Sequence, residues 1–133
     1  MPLSVIVLAV LGLGGILGGI YAAFATATFS NKGPAPRKWK VIRARLFVIG
    51  IPAGLATWPL TYWMGYRVET ADGVYRIVGI PFMVACFDSA GRDYVGPLTM
   101  PGVIANIVFW SLLPQVFLLF WGRIWRKQAT ERA

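Results

Sequence analysis

The sequence predicts an all-α membrane protein, with three transmembrane helices and a small extracytoplasmic β-hairpin cap between helices 2 and 3. Three observations lead there. Three apolar stretches of hydrocarbon length carry no charge, the basic residues crowd beside them, and one polar segment holds two turn signals. No Asp, Glu, Lys or Arg lies between Pro2 and Asn31, between Leu46 and Tyr66, or between Val103 and Trp121. At a rise of about 1.5 Å per residue the last stretch makes a helix of roughly 28 Å, close to the thickness of a bilayer's hydrocarbon core.

Composition narrows the class. Of 133 residues, 57% are apolar and 14% charged, where a soluble domain has about 25% charged. The length suits one integral membrane domain spanning 1–133. A net charge of +8 raises the question of nucleic acid, but basic residues that abut apolar spans are explained by a membrane surface, so no nucleic-acid partner is expected. The single cysteine, Cys86, cannot form an intramolecular disulfide. The absence of histidine excludes His-ligated haem or chlorophyll, the common zinc sites and a histidine proton relay within this chain.

The first span covers about 3–29. Its start lacks Lys and Arg and its apolar run is longer than a signal peptide's core, so retention rather than cleavage is expected. Gly15, Gly19, Ala23 and Ala27 recur every four positions, as do Gly14, Gly18 and Ala22. Helices in lipid associate through close backbone approach at small residues, so the first row is the candidate helix-docking face. Gly33, Pro34 and Pro36 should then stop the helix.

The segment 30–45 carries Lys32, Arg37, Lys38, Lys40, Arg43 and Arg45 and no acidic residue. Such a segment marks the cytoplasmic side, and Arg37, Lys38, Lys40, Arg43 and Arg45 are candidate contacts for anionic lipid or a partner. From Arg37 it should form an interfacial helix running into the second span, 46–66. Pro52 and Pro59 are expected to kink that span. Trp58, Tyr62, Trp63 and Tyr66 suit an aromatic belt at its far end.

The polar segment 67–100 reads as two hairpins, which could join in one antiparallel sheet. Arg67–Thr70 and Val74–Val78 flank Ala71-Asp72-Gly73, and Phe82–Phe87 and Arg92–Val95 flank Asp88–Gly91. So short a segment cannot bury a core of its own and should lean on the helix ends, the membrane or a partner. It carries three basic and four acidic residues, whereas ten basic residues fall in the segment 30–45 and the tail. The asymmetry predicts the N-terminus outside and the C-terminus cytoplasmic.

The third span, about 103–121, carries Asn106, Ser111 and Gln115, the candidate intramembrane polar contacts. Asn106 stands about 180° from Gln115 around a helix, so no continuous polar stripe is expected. Pro114 should kink the helix, and the tail 122–133 should fray.

No intramembrane Asp, Glu, Lys, Arg or His equips the spans for proton or ion coupling, and no nucleotide-binding, zinc or redox motif is present. Glu69, Asp72, Asp88 and Asp93 read as turn and strand-edge carboxylates, and Cys86 as a small hydrophobe. No catalytic, cofactor-binding or metal-binding residue is assigned. The segment Gly79-Ile80-Pro81-Phe82, with Asp93–Leu98 and the apolar span behind it, resembles small bacterial membrane proteins, which points to a bacterial inner membrane.

The expected function is that of a non-catalytic accessory or structural subunit of a larger membrane complex, respiratory, photosynthetic or transport. It would brace partner subunits and contact lipid or pigment tails, with no intrinsic cofactor. The alternatives are a small oligomeric transporter or channel lined by Asn106, Ser111 and Gln115, and a lipid-interface enzyme using Asp88, Asp93 or Cys86.

Overall fold

A computed structural model of the chain describes residues 3–32, 36–94 and 99–132. Three long helices carry most of them: α1 (Leu3–Lys32), α2 (Pro36–Met64) and α3 (Thr99–Glu131). At about 1.5 Å per residue they are roughly 45, 44 and 50 Å long, more than a bilayer core of about 30 Å requires. Each is long and apolar enough to cross a membrane. This is the architecture of a multi-pass membrane protein.

The helices take in more of the chain than the charge pattern suggested. α2 begins at Pro36, so the helix expected from Arg37 onward runs into the second span as one element, and residues 37–45 form its first turns. Proline suits the first helical position because its missing N–H would have no partner there. The expected breakers Gly33 and Pro34 lie outside the described residues. α2 ends at Met64, where Gly65 takes a φ of +65° and its N–H reaches the Tyr62 carbonyl at 3.2 Å, a glycine stop that places the end two residues before the expected Tyr66. Pro52 and Pro59 stay inside α2, and Pro114 inside α3. The tail does not fray after Gly122. It continues α3 to Glu131, because Arg, Lys and Gln are good helix formers and no proline intervenes.

α3 is packed on both neighbours. A Cβ added at Gly15 or Gly19 of α1 would meet Phe109 or Leu112 of α3, so these two helices run parallel. Gly54 and Gly50 of α2 face Ile107 and Ser111, so α2 runs antiparallel to α3. The large apolar side chains point outward instead: Leu13, Leu17 and Phe24 on α1, Ile49 and Leu55 on α2, and Phe117 and Phe120 on α3 are all exposed. An apolar solvent favours that inversion, since it leaves small residues for the helix seams.

The two expected hairpins join into one antiparallel sheet, in the order β1 (Arg67–Thr70), β2 (Gly73–Val78), β3 (Ala85–Phe87), β4 (Asp93–Tyr94). Thr70 pairs with Gly73 across an Ala71–Asp72 loop, and Gly73 supplies the positive φ. In the second turn Asp88 Oδ1 accepts the N–H groups of Ala90 and Arg92. The expected end of the last strand, Val95, lies outside the described residues. The sheet leans on the helix ends: Val68 and Ile77 pack with Val5 near the start of α1, flanked by Tyr66 and Met83.

One expected strand is shorter than its sequence suggests. Phe82–Phe87 reads as a continuous apolar run, yet β3 begins at Ala85. The residues before it go into the helix bundle.

Candidate functional site

Irregular backbone needs partners for its N–H and C=O groups, and inside an apolar bundle only protein can supply them. The segment Gly79-Ile80-Pro81-Phe82-Met83 finds them on α2 and α3. Its first N–H, at Gly79, donates to Thr61 Oγ1 at 2.8 Å. The indole N–H of Trp110 donates to the Ile80 carbonyl at 2.9 Å. The Asn106 side chain serves both groups of Phe82, with Oδ1 accepting from its N–H and Nδ2 donating to its carbonyl, each at 2.9 Å. The Val84 N–H then returns to the Val78 carbonyl at 2.7 Å and closes the loop.

Local sequence makes the fit. Gly79 has a φ of +102°, and a Cβ there would stand 2.5 Å from the Phe82 carbonyl oxygen, so glycine alone suits the position. Gly12 of α1 makes room on the other side, since a Cβ would lie 2.7 Å from atoms of both Pro81 and Phe82. Gly102 at the start of α3 lies against Met83. Asn106 stands seven residues into α3, about 10 Å along its axis. The loop therefore descends between the three helices and plugs one end of the bundle.

A second polar group lies farther along. Gln115 Nε2 donates to the Arg43 carbonyl at 3.3 Å, and Arg43 Nη2 donates to the Ala23 carbonyl at 2.8 Å. These two bonds tie all three helices at one level. Ser111, one turn before Gln115, faces Gly50, where a Cβ would be 2.5 Å from the Ser111 nitrogen and 2.6 Å from the Trp110 carbonyl oxygen. Arg43 Nε, Ser111 Oγ and Gln115 Oε1 are buried without a hydrogen-bond partner among the described residues.

The residues singled out in the sequence thus fall into three places. Asn106, Ser111 and Gln115 are 0%, 1% and 3% exposed, although they lie on different sides of α3. That helix is flanked by α1, α2 and the loop, so a polar residue can be covered on more than one side. Gly15 and Gly19 abut α3, the Ala23 carbonyl takes Arg43, and Ala27 is half-buried, while Gly14 and Gly18 have open space beside them. Arg43 turns into the bundle, whereas Arg37, Lys38, Lys40 and Arg45 are exposed.

Sequence reasoning missed the residues that admit the loop and the closest helix seam. Gly50 and Gly54 carry the small-residue spacing of four on α2, a readable signal that the two prolines overshadowed. Thr61, Trp110 and Gly12 gave no such signal, since what they meet lies far away in sequence: backbone groups for Thr61 and Trp110, the Pro81 and Phe82 side chains for Gly12.

The bundle also bears an apolar groove of about 380 Å³ between α2 and α3, lined by Leu46, Ile49, Ala53, Leu113, Phe117 and Trp121 among others. At the sheet end lies a cavity of about 450 Å³ beside Tyr62. Cys86 is half-buried in β3. Among the described residues no group of three or more His, Cys, Asp or Glu could hold a metal ion. No family model, curated protein or solved structure matches the chain.

Proposed function

We propose that the protein is a non-catalytic structural subunit of a larger bacterial inner-membrane complex, with its sheet outside and its C-terminus cytoplasmic. One observation carries the reading: the polar side chains of the bundle bind the chain's own backbone. Asn106, Thr61 and Trp110 hold the loop, and Arg43 and Gln115 hold helix to helix. A transport path needs polar groups turned toward a lumen. Here they are used to fix one arrangement of the helices, and the outward surface is left apolar for lipid tails, pigment tails or neighbouring subunits. Respiratory, photosynthetic and transport complexes are all candidate hosts.

The experiment is native electrophoresis of membranes solubilised across a range of mild detergents, followed by quantification of co-purifying subunits. A fixed stoichiometric assembly larger than the single chain is expected. A lone monomer under every condition would end the proposal. Solute flux through liposomes holding the purified chain alone would replace it with the channel reading, which the unpartnered Ser111 Oγ and Gln115 Oε1 favour.

A further inference from the structure

Strand register forces two arginines together. Arg67 of β1 pairs directly with Arg76 of β2, so both lie on the same face of the sheet. The adjacent pair, Tyr66 with Ile77, carries a backbone hydrogen bond, with Ile77 N–H donating to the Tyr66 carbonyl at 2.9 Å. Antiparallel pairs alternate, which makes Arg67 and Arg76 a non-hydrogen-bonded pair, the type whose Cα atoms approach to about 4.5 Å. Like charges so placed repel unless something between them is negative.

What surrounds them answers only part of that charge. The Arg76 guanidinium lies 5.0 Å from the centre of the Tyr62 ring, and a Cβ on Gly65 would be 3.8 Å from its Nη2. It therefore has an aromatic face and the carbonyl end of α2, both weakly negative. Neither is an anionic acceptor for its N–H groups. Among the described residues the one ion pair joins Arg92 to Asp88, and no carboxylate pairs with Arg67 or Arg76. Asp88 also borders this cavity, but its Oδ1 is taken by two N–H groups of its own turn and its Oδ2 stands 3.8 Å from Arg92. Asp93 pairs with Phe87, itself the neighbour of Arg76, and so stands two strands away.

The arginines open into the cavity of about 450 Å³, with Tyr62 and Phe87 in edge-to-face contact on its wall and Ser89 at its rim. We propose that this cavity binds a phosphate-bearing anion between Arg67 and Arg76. Planar guanidinium groups match phosphate oxygens in pairs, and the phosphate removes the repulsion that the register imposes. Tyr62 sits within a turn of the end of α2, so the cavity opens where the bundle gives way to the sheet. A phospholipid headgroup reaches that level from the bilayer, and a small soluble phosphate reaches it from water.

The test uses the full chain purified in neutral detergent. Binding of inorganic phosphate, of dihexanoyl phosphatidylglycerol and of phosphate-free dihexanoyl glycerol is measured by thermophoresis, alongside the thermal midpoint. Saturable binding of a phosphate probe, at least tenfold weaker in R67Q/R76Q, supports the site. A tenfold preference for the lipid points to a headgroup, equal affinity to a small phosphate, and either outcome supports the shared chemistry. The variant R123Q/R132Q, which removes the same charge from the far end of α3, should bind within twofold of the parent. Added phosphate should raise the thermal midpoint of the parent and leave that of R67Q/R76Q unchanged. The proposal is overturned if neither phosphate probe binds, if dihexanoyl glycerol binds as tightly, if R67Q/R76Q binds like the parent, if R123Q/R132Q loses as much, or if phosphate raises the midpoint of R67Q/R76Q as much as that of the parent.

Discussion

Asn106 closes both hydrogen bonds of its amide on one residue, Phe82, whose N–H and carbonyl each lie 2.9 Å away. The pairing reproduces what a neighbouring strand would offer, with a helix side chain in the strand's place. It also explains why the apolar run ahead of β3 leaves the sheet: its polar groups are met inside the bundle. Replacing Asn106 by leucine strands a donor and an acceptor together, at about 1–3 kcal/mol for each buried group. Asn106→Leu should therefore lose roughly 2–6 kcal/mol in denaturant unfolding from mixed micelles. A loss below 1 kcal/mol would mean that the loop finds other partners.

Thr61 offers a cleaner subtraction. Its hydroxyl accepts from Gly79 and donates to the Thr57 carbonyl at 2.6 Å, and the residue is buried. Valine has the same shape without the hydroxyl, so Thr61→Val isolates the unmet Gly79 N–H at about 1–3 kcal/mol. Thr61→Ser should stay within about 1 kcal/mol of the parent, because the hydroxyl remains. Hydrogen exchange at the Gly79 amide should quicken in the valine variant alone.

These bonds show where the sequence is legible and where it is not. Charge-free length reveals α1, α2 and α3, and the turn residues Ala71–Gly73 and Asp88–Gly91 reveal the sheet, because both signals are local. The residues around Phe82 look like strand because a short apolar run cannot tell a strand neighbour from an amide twenty-four positions away. Asn106 was visible as a polar residue in a span, but its partner was not. Gly50 and Gly54 were visible by spacing, whereas Gly12 answers to Pro81 and Phe82, which no spacing records. Arg67 and Arg76 look like ordinary surface charges until the register sets them side by side.

Glycines that look alike in the sequence should respond differently to alanine. At Gly18 an added methyl meets nothing within 4 Å, so Gly18→Ala should be neutral or gain up to about 1 kcal/mol from helix propensity. At Gly50 the same methyl meets the α3 backbone at Ser111 and Trp110, which no side-chain rotation relieves. Overpacking of this kind costs about 1–3 kcal/mol, and parting the helices would also disturb Trp110, which holds the loop. Thermal unfolding in one detergent should place Gly50→Ala well below the parent and Gly18→Ala at or above it. Equal midpoints would show that the α2–α3 seam is looser than the structure describes.

Arg43 and Gln115 share a contact and should still differ in cost. Arg43 stands twenty-one positions before Met64, about 32 Å along α2, which puts it near the hydrocarbon boundary opposite the sheet. Its guanidinium reaches the Ala23 carbonyl, which also accepts from Thr26 Oγ1 at 3.1 Å, and so joins α1 to α2. A charge-assisted bond contributes about 1.5–3 kcal/mol. Arg43→Leu should lose on that order and free α1 first, seen as faster proteolysis of α1 than of α2 or α3. Gln115 makes a longer bond, 3.3 Å, and its Oε1 is already buried without a partner. Leucine there forfeits a weak bond but also removes an unmet acceptor, and the two effects oppose each other. Gln115→Leu should therefore fall within about 1 kcal/mol of the parent. If it costs as much as Arg43→Leu, the Oε1 atom has a partner in the membrane, and a bound water, solute or neighbouring subunit beside Ser111 and Gln115 becomes the next thing to look for.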